Sequence, residues 1–212
     1  PGGSNTATSY NFGTAGTGVY STGSNVLFAV ATVNTASITS TGISTSGTYQ
    51  KNGSTILSSV SGILAVGLNA ADSVTTGANI VGVGENALTA LTGSDNGTAV
   101  GYNAAAGSTG ANVSAFGTNS LAAAGSSAGS SAFGSSAARF NTAVQNSAFA
   151  FEALYTNTDA ISQAVFGYRA GYSQSSIAGG SGYTSAFGYS ALNNATGSHN
   201  SAFGNLSGST II

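Results

Sequence analysis

The feature that most constrains this chain is one phrase, repeated nine times. Aligned as small–Ala–(Phe/Val)–Gly–x–(Asn/Ser)–Ala–(Leu/Ala), it reads LAVGLNAA at 64–71, VGVGENAL at 81–88, TAVGYNAA at 98–105 and SAFGTNSL at 114–121. It continues as SAFGSSAA at 131–138, SAFAFEAL at 147–154, AVFGYRAG at 164–171, SAFGYSAL at 185–192 and SAFGNLSG at 201–208. The anchor position is held by Gly67, Gly84, Gly101, Gly117, Gly134, Ala150, Gly167, Gly188 and Gly204. Seven of the eight spacings are 16 or 17 residues, and the eighth, from Gly167 to Gly188, is 21. A near-constant period of this kind marks a solenoid, in which each repeat buries its apolar side only by stacking on the next.

The phrase also carries geometry. Phe187 and Leu192 lie five residues apart, as do Phe116 and Leu121, Val83 and Leu88, and Phe149 and Leu154. In one straight strand an odd separation puts side chains on opposite faces. Both can point into one core only if the chain bends between them, and the anchor glycine sits where a bend is easiest. Each coil therefore reads as strand, bend, short strand and polar turn, with Phe/Val and Leu inside and Ser, Thr and Asn in water. A helix is excluded because Gly recurs inside every apolar segment. The expected fold is all-β: a repetitive parallel β-solenoid or β-roll of 16–17-residue coils, about nine of them over 61–212. At ~4.8 Å per coil the stack is roughly 40 Å long. One Phe, one Leu and a few Ala per coil make a thin core, so several chains packed side by side are expected.

Composition agrees. Charged residues are 4%, against about 25% in ordinary soluble domains. A disordered chain of such polarity carries high net charge and few apolar residues, whereas this one has net charge −2, ten Phe and nine Tyr. Lys51, Arg139 and Arg169 are the only strong cations, too few for a nucleic-acid backbone or an anionic membrane surface. The longest strongly apolar run, VLFAVATV at 26–33, is far shorter than the ~20 residues of a spanning helix. With no cysteine there is no disulfide, thiol nucleophile or thiolate metal site.

Residues 1–60 lie outside the period and read as a neck or lead segment. Residues 1–24 are a flexible lead or an irregular piece held by neighbours, and VLFAVATV reads as one buried strand. A hairpin is expected at 48–57, with Asn52-Gly53 as its turn, Tyr49 opposite Ile56 and Lys51 opposite Ser54.

The phrases TAVGYNAA, SAFGTNSL and SAFGYSAL resemble the head repeats of trimeric autotransporter adhesins, and more closely the repeats of phage and virus tail-fibre proteins. The resemblance covers about 150 of the 212 residues. It implies a homotrimeric, left-handed parallel β-roll on a virion tail fibre or bacterial cell surface, extracellular, with a host surface glycan or protein receptor as partner. In many such fibres a self-cleaving C-terminal chaperone follows the shaft; here it is expected to have been removed or never present. Three departures stand out: Ala150 replaces an anchor glycine, the seventh coil is shifted and followed by a longer gap, and the adhesin-head period is shorter than 16–17. The expected function is non-enzymatic, a fibrous shaft or head that presents a receptor-binding surface. The alternative is a structural subunit of a self-assembling extracellular filament. Ice binding by a Thr array is weaker, because Thr does not recur at one coil position.

Chemical motifs are sparse. Gly82-x-Gly84-x-x-Ala87 matches a dinucleotide fingerprint but lies in register with eight sibling phrases that lack the first Gly. His199, the only histidine, has Asp159 as its nearest acid, about two coils away, so it reads as a turn residue rather than part of a triad. Glu85 and Glu152 are taken as equivalent bend positions four coils apart, roughly 19 Å, too far for the roughly 5–9.5 Å of paired-carboxylate hydrolysis. Asp72, Asp95 and Asp159 sit singly in turns without a calcium-loop cluster. No metal or cofactor is expected. Tyr102, Tyr168 and Tyr189 follow the anchor directly, as bend packing or chain–chain contact on one reading and as a platform for sugar rings on the other. The 21-residue spacing predicts a loop expelled from the stack. Within 167–185, Tyr168, Arg169, Tyr172, Gln174 and Tyr183 offer aromatic faces, a forked donor and an amide for a polar ligand such as a glycan. The same loop covering a joint between chains is the competing reading.

Overall fold

The computed structural model describes residues 62–175, 182–197 and 199–211 and, ahead of them, a set of strands by their backbone alone. Side chains are described for 62–174, 182–197 and 199–209. The chain divides into two compact units, Pro1–Tyr49 and Gln50–Ile212.

The first unit holds β1 (Ser9–Asn11), β2 (Gly18–Thr22), β3 (Asn25–Val30), β4 (Val33–Thr39) and β5 (Gly42–Ser44), an antiparallel sheet in that order. The run expected to form one strand at 26–33 is divided between β3 and β4, with Val30 paired to Val33. Apolarity along the run concealed the reversal, since a short hairpin can be as apolar as a strand. Two strands also fall within the Gly- and Ser-rich residues 1–24.

Next come β6 (Tyr49–Lys51) and β7 (Ser54–Val60). They flank Asn52-Gly53, which lies outside the described residues, as do the side chains of the expected Tyr49–Ile56 and Lys51–Ser54 pairs. β7 pairs antiparallel with β8 (Ile63–Val66), the first strand of the solenoid. The following coils contribute β9 (Ile80–Val83), β10 (Thr98–Val100), β11 (Ser114–Phe116), β12 (Ser131–Phe133), β13 (Phe140–Asn141), β14 (Ser147–Phe149) and β15 (Thr156–Asn157). The remainder are β16 (Ala164–Phe166), β17 (Ser173–Ser175), β18 (Thr184–Phe187), β19 (Asn194–Thr196), β20 (Asn200–Phe203) and β21 (Thr210–Ile211).

From β8 onward every neighbour in the long sheet is parallel, in the order β8-β9-β10-β11-β12-β14-β16-β18-β20. The chain is an all-β parallel solenoid of about eight turns. Register follows the phrase: Ala115 pairs Ala132 and Phe116 pairs Phe133, and Phe166 pairs Phe187 across the long spacing. A second parallel sheet, β13-β15-β17-β19-β21, runs only through the later coils.

The anchor explains itself here. The anchor glycines lie at φ between 117° and 136°, a region that side chains disfavour. A Cβ on Gly117 would also stand 2.6 Å from the carbonyl oxygen of Gly134 in the next coil. Bend and stacking distance therefore make the same demand.

The interior corrects the sequence expectation in two respects: polar side chains expected in water, among them Ser108, Ser120, Asn141, Asn146 and Asn157, are buried, and the Phe/Val column is misplaced. The Leu column is inside as expected, with Leu88, Leu121, Leu154 and Leu192 fully buried. The Phe/Val column is not. In β11, β12, β14 and β16 the buried residue is the central one, Ala115, Ala132, Ala148 or Val165, and its neighbours on both sides are half-buried. Alternation along the strand places Ala inside and so puts the following Phe outside. The bend does return the chain to the core, but it aligns Leu with the Ala rather than with the Phe.

Candidate functional site

Columns of equivalent residues are the natural coordinates of this surface. One place before the anchor stand Val66, Val83, Val100, Phe116, Phe133, Phe149, Phe166, Phe187 and Phe203. Their rings stack at 4.5–5.0 Å from Phe116 to Phe203, with planes within 8° of parallel. This column is apolar through the whole stack, Val in the first three coils and Phe in the other six.

The two columns after the anchor are not. One place on, coils one to five carry Leu68, Glu85, Tyr102, Thr118 and Ser135, of which Tyr102 is an exposed ring, whereas coils six to eight carry Phe151, Tyr168 and Tyr189. These three are exposed and stacked at 5.4 and 5.1 Å. Two places on, every residue has φ between 50° and 57°. Asparagine suits that left-handed conformation, and Asn69, Asn86, Asn103 and Asn119 form a side-chain ladder with amide–carbonyl distances of 2.9–3.1 Å. Ser136 ends the ladder in coil five, and coils six and seven carry Glu152 and Arg169 at this position.

Glu152 and Arg169 are the ion pair of this surface. Nε of Arg169 lies 3.0 Å from Glu152 Oε2, off the axis of an N–H bond, so charge rather than a hydrogen bond holds them. The guanidinium carbon stands 4.3 Å from the centre of the Tyr172 ring, and Tyr172 stacks on Tyr155 at 4.9 Å. Hydrogen bonding to Tyr172 raises the Arg169 pKa above its ordinary value, partial desolvation opposes it, and the Glu152 charge adds to it. Phe140 meets Tyr155 edge-on at 5.2 Å and lies under Arg139. Coils five to eight thus gather stacked aromatics beside Arg139, Arg169 and Glu152, whereas the first three coils carry single acids and the lone exposed Tyr102.

The structure redistributes the residues expected on an expelled loop. Tyr168, Arg169 and Tyr172 belong to regular coil positions, since Ser173 and Gln174 still pair with Thr156 and Asn157. Gln174 is 3% exposed, and its Nε2 donates to the Leu192 carbonyl at 2.6 Å, so it belongs to the interior. Tyr183 is exposed beside His199, with ring centres 5.3 Å apart. Residues 176–181, where the extra length falls, lie outside the described residues. Glu152 also occupies a different column from Glu85: it stands two places after its anchor, where the alignment of SAFAFEAL with VGVGENAL puts Asn86. Column position was the signal that could have paired it with Arg169.

Other chemistry stays apart. Asp95 accepts the Ala78 N–H at 2.8 Å. Among the described residues no three His, Asp or Glu side chains gather as metal ligands, and no helix is long and apolar enough to cross a membrane. Gly82 is the coil-two member of the buried Ala column and is followed by turns rather than a helix, so the dinucleotide fingerprint lacks its structural context.

Inside coils five to eight the core is partly polar. Asn141 Oδ1 accepts from Asn157 Nδ2 at 2.8 Å and from Asn146 Nδ2 at 3.0 Å. Asn157 also donates to the Ala160 carbonyl at 2.7 Å. Among the described residues, Gln163 Oε1 and Thr184 Oγ1 are buried without a partner.

Compared with protein-family models, curated proteins and solved structures, the chain matches none.

Proposed function

We propose that the chain is a non-enzymatic fibrous protein, a homotrimeric shaft or head that holds a receptor-binding surface away from a virion or bacterial cell. The observation that carries this reading is the contrast between columns. The anchor, Ala and Phe/Val columns run through all the coils, which is what a rod requires. The stacked exposed rings of Phe151, Tyr168 and Tyr189 and the Glu152–Arg169 pair are, among the described residues, confined to coils six to eight, while Tyr102 in coil three is exposed outside that stack. A local cluster of this kind is what a recognition patch on a rod requires. The partner is a host surface glycan or protein receptor, met by Phe151, Tyr168, Arg169 and Tyr189. The trimer and the extracellular setting rest on the resemblance of the repeat phrase.

The filament reading has less support, because the β8 edge of the first coil is occupied by antiparallel β7. End-to-end continuation of a parallel sheet needs that edge open.

The test is binding to cells. Fluorescently labelled protein is incubated with a panel of bacterial strains beside the triple variant Tyr168→Ser/Arg169→Ser/Tyr189→Ser. Binding to a subset of strains is expected, falling by roughly tenfold or more in the variant, with circular dichroism and molar mass unchanged. Equal binding by both proteins, or binding to no strain, would overturn the proposal.

A further inference from the structure

The largest apolar side chains of this solenoid are outside its core. Ile80, Leu88, Leu91, Leu121, Leu154 and Leu192 are its largest fully buried residues, and no phenylalanine is fully buried among the described residues. Most of the remaining interior is alanine. The Phe/Val column meanwhile stands half-buried on the outer face of the long sheet, and Phe203 at its end is 69% exposed. Apolar surface left in water forgoes ~25 cal/mol per Å² of burial, and contiguous exposed patches of this kind mark interfaces.

The form of the patch identifies its occupant. It is a stripe one side chain wide running the length of the stack, so it is not a pocket for a small ligand. It contains no charge, so a partner gains nothing from bringing one. Its rungs repeat at 4.5–5.0 Å where they are aromatic, the rise set by parallel strand pairing. A surface built on any other spacing falls out of step within a few rungs. Another copy of this chain has the same rise and an equally neutral stripe. It also changes from Val to Phe at the same coil.

We infer that the Phe/Val column is the face through which copies of this chain pack, parallel and in register about a common axis. Cyclic symmetry then sets each rung beside its own equivalents. The inference rests on the reading of the chain as an assembled rod and adds which face does the assembling. It also moves the burial expected of these Phe residues from within one chain to between chains.

The chain has no cysteine, so single cysteines report contacts cleanly. Molar mass is measured by sedimentation at micromolar concentration for the unmodified protein and for Phe133→Ser/Phe149→Ser. In parallel, Phe133→Cys and Thr142→Cys, the latter an exposed residue of the same coil, are oxidised and run on denaturing gels. The unmodified protein is expected to sediment as a multiple of its 20.3 kDa chain and the double-serine variant as a single chain. Phe133→Cys is expected to form disulfide-linked dimers and Thr142→Cys none. A single-chain mass for the unmodified protein overturns both the assembled rod and the face. An assembled protein in which Phe133→Cys stays unlinked overturns the face and leaves the rod standing. If the double-serine variant does not fold, the cysteine pair decides.

Discussion

Ala150 is the residue at which this fold departs from its own rule. It holds an anchor position at φ 118°, where every sibling is glycine, in a conformation that costs a side-chain-bearing residue on the order of 1–3 kcal/mol. Ala150→Gly removes that strain at the expense of about 0.5–1 kcal/mol of added unfolded-chain entropy. A net gain is expected, read as a higher melting temperature, and a lower one would contradict the assigned backbone conformation. Gly117→Ala should do the reverse, losing roughly 2 kcal/mol or more, because its Cβ meets the Gly134 carbonyl. A second residue-scale case is Thr184, whose buried Oγ1 has no partner. Thr184→Val keeps the shape and removes the unpaired hydroxyl, so chemical denaturation should show about 1 kcal/mol of added stability.

At the scale of elements, the second parallel sheet begins where buried amides enter the interior. β13 and β15 contribute Asn141 and Asn157, both fully buried and bonded to each other, and β17 contributes the buried Gln174. These amides fill a column that holds Leu91 in coil two and Ser108 in coil three. Each coil then reads its neighbour's register by hydrogen bonds as well as by packing. Asn157→Ala strands the Ala160 backbone groups and weakens the Asn141 cluster, for an expected loss of about 2–4 kcal/mol. Hydrogen exchange should show lost protection centred on β13, β15 and β17. Exchange unchanged there would mean that the amides contribute little to the stack. Five-residue spacing admits two solutions for the Phe column, and large side chains invite burial. What decided between them was the Ala at the centre of each strand, small enough for the narrow interior.

For the whole molecule, charge is nearly irrelevant to stability. Eight ionisable Lys, Arg, Asp and Glu residues serve 212 positions, and the described ion pair, Glu152–Arg169, is partly exposed. Screening of such pairs changes little. The melting temperature is therefore expected to move by no more than ~2 °C between low salt and 0.5 M sodium chloride. A larger drop would reveal a charged contact between chains. Arg169 does not alter this near neutrality. Its folded pKa is raised, so the stability it lends is complete below its unfolded pKa and is lost only as pH rises through the folded one, in the strongly alkaline range.

The period, the anchor glycine and the lack of charge were sufficient to establish a parallel β-solenoid and its 16–17-residue coils, because a repeat can bury its apolar side only against its neighbour and glycine adopts the bend with least strain. Which way each side chain faces was not determined, since alternation along a strand defines two sets without saying which is inside. Stacking made that choice: the space between two short strands admits Ala and Leu and excludes Phe. The pairing of Glu152 with Arg169 likewise awaited the stack, because residues 17 apart in sequence become neighbours only when each coil lies directly on the one before it.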